Sequence, residues 1–387
     1  MTSQATTLFL LFLALTSGRA EDDPQAKATQ EVLSKLEETN PGIRPSVNNE
    51  PTHVKVQTYI RNMDVDDVDM KINLDITFRM HWNDYRLAFD TENVNNVVIV
   101  NPKKAWLPDA FFKNSITTQH ESVYPESYLR VSPNGDLIYS TRLSVNLKCP
   151  MDLARFPHDT QKCVMSVASY GYTKRDLIFE WKSEQDIEVS ENLQGGRFSL
   201  DNYSTDYCDS QTATGSYSCV SVSVVIRRDF GAYVLEWYLP SIFLIIVAWF
   251  SFFIPREQFL GRLLLTIIPL TALASFINIF TQGLAPVPYT RALDIFTGFS
   301  LCVLFLTLVH IIVCYIADSK AKTYNVESTS NSPEEGGGKP LELEEASGFK
   351  KVVQKVKSKA EYLSRLLIVG FYIGFLFVYF AAYCGTG

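Results

Sequence analysis

CPMDLARFPHDTQKC, residues 149–163, is a loop that begins and ends at a cysteine. Two cysteines that close a small loop in a secreted, β-rich domain indicate a disulfide. Within the loop, the Phe156-Pro157 pair followed by Asp159 places a hydrophobic tip beside a rigid turn. Such a tip indicates a contact with another part of the protein, although one stapling disulfide in any extracellular domain is the alternative.

The first twenty residues predict export from the cell. Residues 1–20 contain an apolar run and end in small residues, as a secretory signal peptide does, although no Lys or Arg precedes the run. We expect the mature chain to begin near Glu21, outside the cell. The net charge of −7, with no basic cluster among the extracellular aromatics, argues against nucleic acid as a partner.

The cysteines divide between two environments. Four lie in the polar region, where they can pair in three ways. These four are Cys149, Cys163, Cys208 and Cys219. Pairing of nearest neighbours closes two small loops, and we predict this arrangement. The others lie in apolar segments, where we expect thiols: Cys302, Cys314 and Cys384.

Residues 52–228 carry the alternation of apolar and polar side chains that predicts β-strands. Between Lys71 and His81 every second residue is apolar, which places all the apolar side chains on one face. Short strands with turn signals, such as Pro-Asn-Gly-Asp at 133–136, predict an all-β, immunoglobulin-like sandwich. A short amphipathic helix at 26–38 precedes it.

Four apolar runs follow the sandwich, at 233–254, 263–280, 295–317 and 366–384. Each is near the length that crosses about 30 Å of hydrocarbon as a helix, which predicts a four-helix transmembrane bundle. The basic residues before the last run fit a cytosolic position. The predicted division is signal peptide 1–20, extracellular sandwich 21–229, spans one to three 230–317, cytosolic loop with an amphipathic helix 318–362, and fourth span with extracellular C-terminus 363–387.

The second apolar run carries a polar stripe along one helical face. The residues of this face recur in steps of three and four. Those toward the C-terminal end of the run are polar, and those toward its N-terminal end are aliphatic. The stripe comprises Leu264, Ile268, Thr271, Ser275, Asn278 and Gln282. Several copies around an axis could enclose water, with a constriction at the aliphatic end. The alternative is hydrogen bonding within a bundle, and Pro269 predicts a bend near Ile268.

The chain combines a cysteine loop in a β-sandwich with membrane spans that follow it. This arrangement resembles the Cys-loop family of pentameric ligand-gated ion channels. The resemblance covers about residues 52–317, and it is closest to glycine and GABA-type receptors. The stretches that carry it are WNDYRLAF (82–89), WLPDAFF (106–112), SYGYTKRDLIFEW (169–181) and the Cys208–Cys219 loop. It implies a subunit that joins four further subunits, as a homo- or heteropentamer in the plasma membrane.

The resemblance implies a ligand site between two subunits. Its residues follow when the family's site positions are transferred to the matching motifs of this sequence. The principal face supplies an aromatic box of Phe111, Tyr170, Tyr207 and Tyr217. The complementary face grips a ligand carboxylate with Arg79, Ser140 and Arg142. Aromatic faces attract an ammonium group, and the planar fork of Arg bonds both carboxylate oxygens. Taken alone, Arg79 could be an exposed strand residue and Tyr170 a buried tyrosine of the sandwich.

Two departures from the resemblance concern the ligand. Ala168 stands where glycine receptors place an acid, and Thr212 replaces an aromatic between Cys208 and Cys219. Both weaken the case for glycine or GABA, so we expect a small amino-acid-like or amphipathic ligand. Asn202 begins a glycosylation sequon beside this loop.

The resemblance also implies how the sandwich is coupled to the membrane. We expect Phe156 and Pro157 to touch the turn after the second span, around 284–288, and Asp159 to pair with Arg228. The sign of the permeant ion is open, because residues 259–262 (FLGR) match neither the cation-channel nor the anion-channel pattern.

The sequence therefore predicts a channel subunit whose other partners are permeant ions and the lipid bilayer. One alternative is a pentameric membrane-tethered binding receptor that conducts poorly, or only with partner subunits. A membrane-anchored enzyme is a weaker alternative, because no metal-ligand spacing of His and no GxSxG, P-loop or HExxH motif occurs. We expect no cofactor and no metal site.

Overall fold

The computed structural model describes residues 23–46, 50–91, 93–121, 124–183, 185–191, 193–330 and 341–384. At residues 194, 280, 321–330, 341–361 and 384 it describes the backbone only. The chain divides into two compact units. The sandwich unit comprises Met1–Met151 and Thr160–Arg227, and the helical unit comprises Asp152–Asp159 and Arg228–Gly387. The predicted signal peptide, residues 1–20, lies outside the described residues.

The sandwich unit begins with helix α1 (Pro24–Glu38) and continues in short strands, as predicted. These are β1 (Thr52–Asp66), β2 (Lys71–Asn83), β3 (Val97–Ile99), β4 (Ala110–Phe112), β5 (Ser115–His120), β6 (Ser127–Val131), β7 (Asp136–Lys148), β8 (Thr160–Ser169), β9 (Leu177–Trp181), β10 (Ile187–Val189), β11 (Gln194–Gly195), β12 (Phe198–Tyr207), β13 (Ser210–Thr212), β14 (Gly215–Tyr217) and β15 (Cys219–Arg228). Among the described residues, one sheet has the order β10-β1-β2-β7-β6-β3, with β5 on β7 and β9 on β1. The second has the order β11-β12-β15-β8-β4, and β13 pairs with β14.

The core of the sandwich contains the apolar face predicted for β2. Ile72, Leu74 and Ile76 are almost completely buried, and burial of each such side chain contributes about 1.5–3 kcal/mol. Phe78 meets Phe112 of the other sheet edge to face, with ring centroids 5.5 Å apart. The period of two therefore gave the correct inner face.

The end of β2 is fixed by a turn that requires glycine. Gly135 has a φ of +81°, and a Cβ there would lie 2.7 Å from the carbonyl oxygen of Asp84. The amide of Asp84 donates to the carbonyl of Gly135 at 2.8 Å. The buried carboxylate of Asp84 in turn accepts two bonds from the Arg86 guanidinium, at 2.8 and 2.7 Å. These contacts explain the clustering of polar residues in WNDYRLAF.

Both predicted disulfides form. Cys149 is bonded to Cys163, and Cys208 to Cys219. Cys302 and Cys314 are outside disulfides, as expected for cysteines in spans, and the side chain of Cys384 is not described.

The helical unit contains four apolar helical segments of membrane-spanning length, as predicted. They are Phe230–Phe253, Phe259–Ile279, Ala292–Lys320 and Tyr362–Tyr383, the first to fourth spans. The first span consists of α2 (Phe230–Tyr233), a π-helical turn (Val234–Tyr238), α3 (Leu239–Phe250) and a 3₁₀ turn (Ser251–Phe253). The other spans belong to α4 (Phe259–Thr281), α5 (Ala292–Ser330) and α6 (Leu341–Cys384).

The four spans pack around a common core. Ile245, Leu273, Leu304 and Tyr372, one from each span, are buried together. Many large apolar side chains face outward instead, such as Phe377 on the fourth span. An apolar outer surface is what contact with lipid requires. Helix α6 begins within the segment where the sequence predicts an amphipathic helix.

Candidate ligand site and pore-facing helix

Asp109 of the WLPD stretch holds together the aromatic part of the predicted principal face. Its carboxylate accepts bonds from the Ser169 hydroxyl at 2.7 Å and from the amides of Tyr170 and Gly171 at 3.1 and 2.6 Å. These contacts place Tyr170 against Phe111, with ring centroids 5.9 Å apart and the rings nearly perpendicular. Asp109 was not among the predicted site residues, although it lies two residues before Phe111.

The aromatic pair is open to solvent. Tyr170 is 81% exposed, so it is not a buried tyrosine of the sandwich, and Phe111 is 37% exposed. Two adjoining rings at the surface offer π faces to a cation. The structure thus brings together two of the four residues predicted for the principal face.

The other two lie at the loop between Cys208 and Cys219: Tyr207 directly precedes the first cysteine, and Tyr217 is inside the loop. This loop contains the β13–β14 hairpin, and the hydroxyl of Tyr217 lies 2.9 Å from that of Thr214. An ion pair from Lys174 to Asp209 joins this loop to the segment after Tyr170. Within the described part of the chain, neither Tyr207 nor Tyr217 makes a ring contact with Phe111 or Tyr170. Asn202 is exposed on β12, which leaves the sequon accessible.

The predicted complementary face is assembled on β2 and β7. Arg79 is directly opposite Ser140 in the antiparallel ladder, and Thr77 is opposite Arg142. All four line one cavity of about 400 Å³. Arg79 lies 3.6 Å from the Glu188 carboxylate, which also accepts a bond from Gln57 at 2.8 Å. The three residues predicted for this face therefore share a cavity.

Arg61 is a further guanidinium at the same cavity, and the sequence analysis missed it. The β1–β2 register shifts between Ile60 and Asn62, so Arg61 is the additional residue of a β-bulge. Arg61 lies two residues after Tyr59, on the same face of β1, and both side chains line the cavity. Arg61 forms an ion pair with Glu121. The alternation along β1 could therefore have indicated this position.

Three cations act on His81 at the outer face of β2. Burial, and after it the cations Lys182, Arg79 and Lys55, together lower the pKa of His81 to about 4. His81 is two residues from Arg79 on the same strand face. Cations that disfavour an imidazolium favour an anionic ligand.

The predicted stripe of the second span faces away from the helical unit. Leu264, Ile268, Thr271, Ser275, Asn278 and Gln282 are all exposed in the single chain. Thr266, Pro269 and Leu273, on other faces, are buried. The hydroxyl of Thr271 donates to the carbonyls of Ile267 and Ile268, both at 3.0 Å, so it is not used for bonding to another span. That the stripe lines a pore stays a prediction.

The end of the second span differs from the sequence-based picture. Helix α4 runs from Phe259 to Thr281 with Pro269 inside it, and the bend near Ile268 stays a prediction. Gln282 lies one residue beyond the end of the helix, in the following turn. The uppermost position of the stripe is thus set by the turn and not by helical geometry.

The predicted pair of Asp159 and Arg228 forms within the helical unit. The guanidinium donates to both carboxylate oxygens, at 2.8 and 3.2 Å, and to the Tyr233 hydroxyl at 3.0 Å. The side chains of Arg228 and Asp159 are 0% and 2% exposed. The Phe156 ring lies under the guanidinium, 4.6 Å from its central carbon. The cation is therefore enclosed by an acid and by aromatic rings.

The loop also hydrogen-bonds to the segment that leads into the third span. The carbonyls of Ala154 and Phe156 accept bonds from the amides of Ala292 and Leu293, at 2.9 and 3.1 Å. The Leu153 amide donates to the Tyr289 hydroxyl at 2.9 Å. The start of the third span thus supplies amides for the loop carbonyls, and the contact of Phe156 and Pro157 with 284–288 stays a prediction. No group of His, Cys, Asp and Glu suited to a metal ion occurs among the described residues.

Two family models match the chain in the order of its two units. The ligand-binding domain of neurotransmitter-gated ion channels matches residues 29–230, and the transmembrane region of these channels matches residues 237–334. The chain is also similar to a glutamate-gated chloride channel of Drosophila melanogaster. The two are 36% identical over 313 residues, which cover 79% of this chain and 68% of the relative.

Proposed function

Because this chain belongs to the neurotransmitter-gated ion-channel family, we propose that it forms pentameric channels opened by an amino acid with two carboxylates, of which glutamate is the first candidate. As a family member it is a ligand-gated ion channel of the plasma membrane, with an extracellular ligand-binding domain and four membrane spans. This membership favours a channel over the membrane-anchored enzyme.

The observation that carries the proposal is the cluster of guanidinium groups at one cavity. Arg61, Arg79 and Arg142 all line it, together with Ser140. A dicarboxylate needs two cationic forks, and each fork bonds a carboxylate with two parallel hydrogen bonds. Glycine or GABA, with one carboxylate, would use only one of these three guanidinium groups. The name of the Drosophila relative points to the same ligand.

The ammonium group of the ligand would lie against Phe111 and Tyr170 of the neighbouring subunit. Their rings are exposed and adjoin each other. A cation over an aromatic face contributes about 0.5–2 kcal/mol. Rings supply this attraction without an acid, which accommodates Ala168 at the position where glycine receptors have one.

Chloride is the first ion to test, since the relative is named for it. At the start of the second span, Arg262 is buried with its Nε bonded to the Ser251 carbonyl at 3.1 Å. Arg256 pairs with Asp318 at 3.5 Å, whereas Glu257 is exposed. The exposed acid is the feature that opposes anion selectivity, so reversal potentials in solutions of different chloride concentration decide the sign.

The experiment is voltage clamp of an otherwise silent cell that expresses the chain. We expect glutamate to open a current, and Arg79→Ala to reduce the apparent affinity by about 100-fold or more, as for loss of a charge-assisted carboxylate pair. Lys103→Ala removes an exposed cation outside the cavity and should change little.

An unchanged glutamate response in Arg79→Ala would contradict the assignment of the cavity. A surface protein that binds labelled glutamate but passes no current would instead favour the poorly conducting receptor, and co-expression with other subunits would then be required.

A further inference from the structure

A hydrogen-bonded chain runs from the loop tip to two spans within the helical unit. The Nε2 atom of His158 lies 3.1 Å from the hydroxyl of Tyr238 in the first span. That hydroxyl lies 2.8 Å from the hydroxyl of Tyr379 in the fourth span. The three side chains connect segments that are 80 and 141 residues apart in sequence.

The surroundings of His158 are aromatic. Its ring lies 4.3 Å from that of Phe230, and the rings of Tyr238 and Tyr379 are 6.1 and 6.4 Å away. Both tyrosines are almost completely buried. The charged group that acts on the imidazole is the neighbouring Asp159 carboxylate, which is itself held by Arg228. Among the contacts of the described residues, His158 thus faces two phenols and one paired carboxylate.

This setting disfavours a charged imidazole. Burial lowers the pKa of His158 below its ordinary value, and Asp159 opposes the shift only in part. A state with this imidazole in water would hold a proton more tightly than the packed state does. Acid therefore shifts the population toward the solvated state, and neutral pH stabilises the packed state.

Protonation would also reverse the hydrogen bonds of the chain. In the neutral tautomer with its proton on Nδ1, Nε2 accepts from the Tyr238 hydroxyl, whose oxygen then accepts from Tyr379. In the imidazolium, Nε2 donates to the Tyr238 oxygen, so the Tyr238 hydroxyl can no longer donate to His158 and its proton turns to another acceptor, for which the Tyr379 oxygen is in reach. A proton on the loop tip therefore changes the bonds that Tyr238 makes.

We propose that His158 is a regulatory proton site, and that acid weakens the response to agonist by loosening the loop tip from the first and fourth spans. The packed arrangement joins the tip to the first and fourth spans, which pack against the second span that carries the stripe, so loss of this contact lowers coupling. The proposal adds an inhibitory ligand, the proton, that acts away from the amino-acid site.

The first test uses glutamate currents, and it rests on the proposed agonist. In the wild-type channel we expect the response to a sub-saturating dose to fall about threefold or more between about pH 7.5 and about pH 5.5. His158→Gln keeps a polar side chain that can bond Tyr238 but does not titrate, so its response should be nearly independent of pH. The control His53→Gln changes an exposed histidine of the sandwich unit and should behave like the wild type. Equal acid sensitivity in His158→Gln and the wild type would overturn the proposal.

The second test needs no agonist, and so it separates this proposal from the identity of the ligand. Hydrogen–deuterium exchange of the full-length channel in lipid nanodiscs is compared at the same two pH values, after correction for the intrinsic pH dependence. We expect acid to increase exchange in peptides that contain residues 152–159 and the end of the fourth span, in the wild type but not in His158→Gln. The same protection at both pH values in the wild type would overturn the proposal even if glutamate opens the channel.

Discussion

At the scale of single residues, charge pairing and enclosure decide which contacts matter. The Asp159–Arg228 pair was expected from an acid in the cysteine loop and a base before the first span. Its enclosure by Phe156 and Tyr233 was not, because the packing of rings around a cation depends on tertiary structure. A fully desolvated pair of this kind differs in energy from the exposed pair of the adjacent Arg227 with Asp201.

This difference gives a matched prediction. Arg228→Ala leaves the Asp159 carboxylate buried without its cation, which commonly costs about 3–5 kcal/mol. Arg227→Ala removes an exposed, solvent-screened pair and should change the stability little. We expect Arg228→Ala to lose thermal stability and surface channels, and Arg227→Ala to keep both. Thermal unfolding of the purified proteins and surface biotinylation measure the two effects, and equal behaviour of the two variants would refute the coupling role.

At the scale of elements, periodic patterns predicted what lies on regular strands and helices. The apolar face of β2 and the exposed stripe of the second span follow from periods of two and 3.6. Features that interrupt a period were not predictable in this way. The register of β1 shifts at a bulge between Ile60 and Asn62, and Gln282 leaves the helical pattern because α4 ends at Thr281.

Asp109 provides the prediction at this scale, because it joins β4 to the segment after β8. Asp109→Asn loses the negative charge that draws the Ser169 hydroxyl and the amides of Tyr170 and Gly171. Hydrogen bonds to charged groups contribute about 1.5–3 kcal/mol. We expect the apparent affinity for glutamate to fall about tenfold or more, with surface expression retained. A dose response identical to wild type would show that Tyr170 is held by other contacts.

At the scale of the whole molecule, the sequence predicted the order of the parts but not their boundary. Residues 152–159 follow β7 in the chain, yet they belong to the helical unit. The contacts that assign them there, to Tyr233, Tyr289 and Leu293, join residues far apart in sequence. Hydropathy finds four spans but does not report which loop packs on them. The His158–Tyr238–Tyr379 chain was unpredictable for the same reason.

The central claim at this scale is that several copies of the chain surround an axis with the stripe of the second span facing water. Cysteine accessibility under voltage clamp tests it most directly. Ser275→Cys and Asn278→Cys place a thiol on the exposed stripe, and Leu273→Cys places one on the buried face of the same helix. We predict that a charged, water-soluble thiol reagent applied with agonist alters the current through Ser275→Cys and Asn278→Cys and leaves that of Leu273→Cys unchanged. Protection of both stripe positions in the presence and absence of agonist would contradict the account.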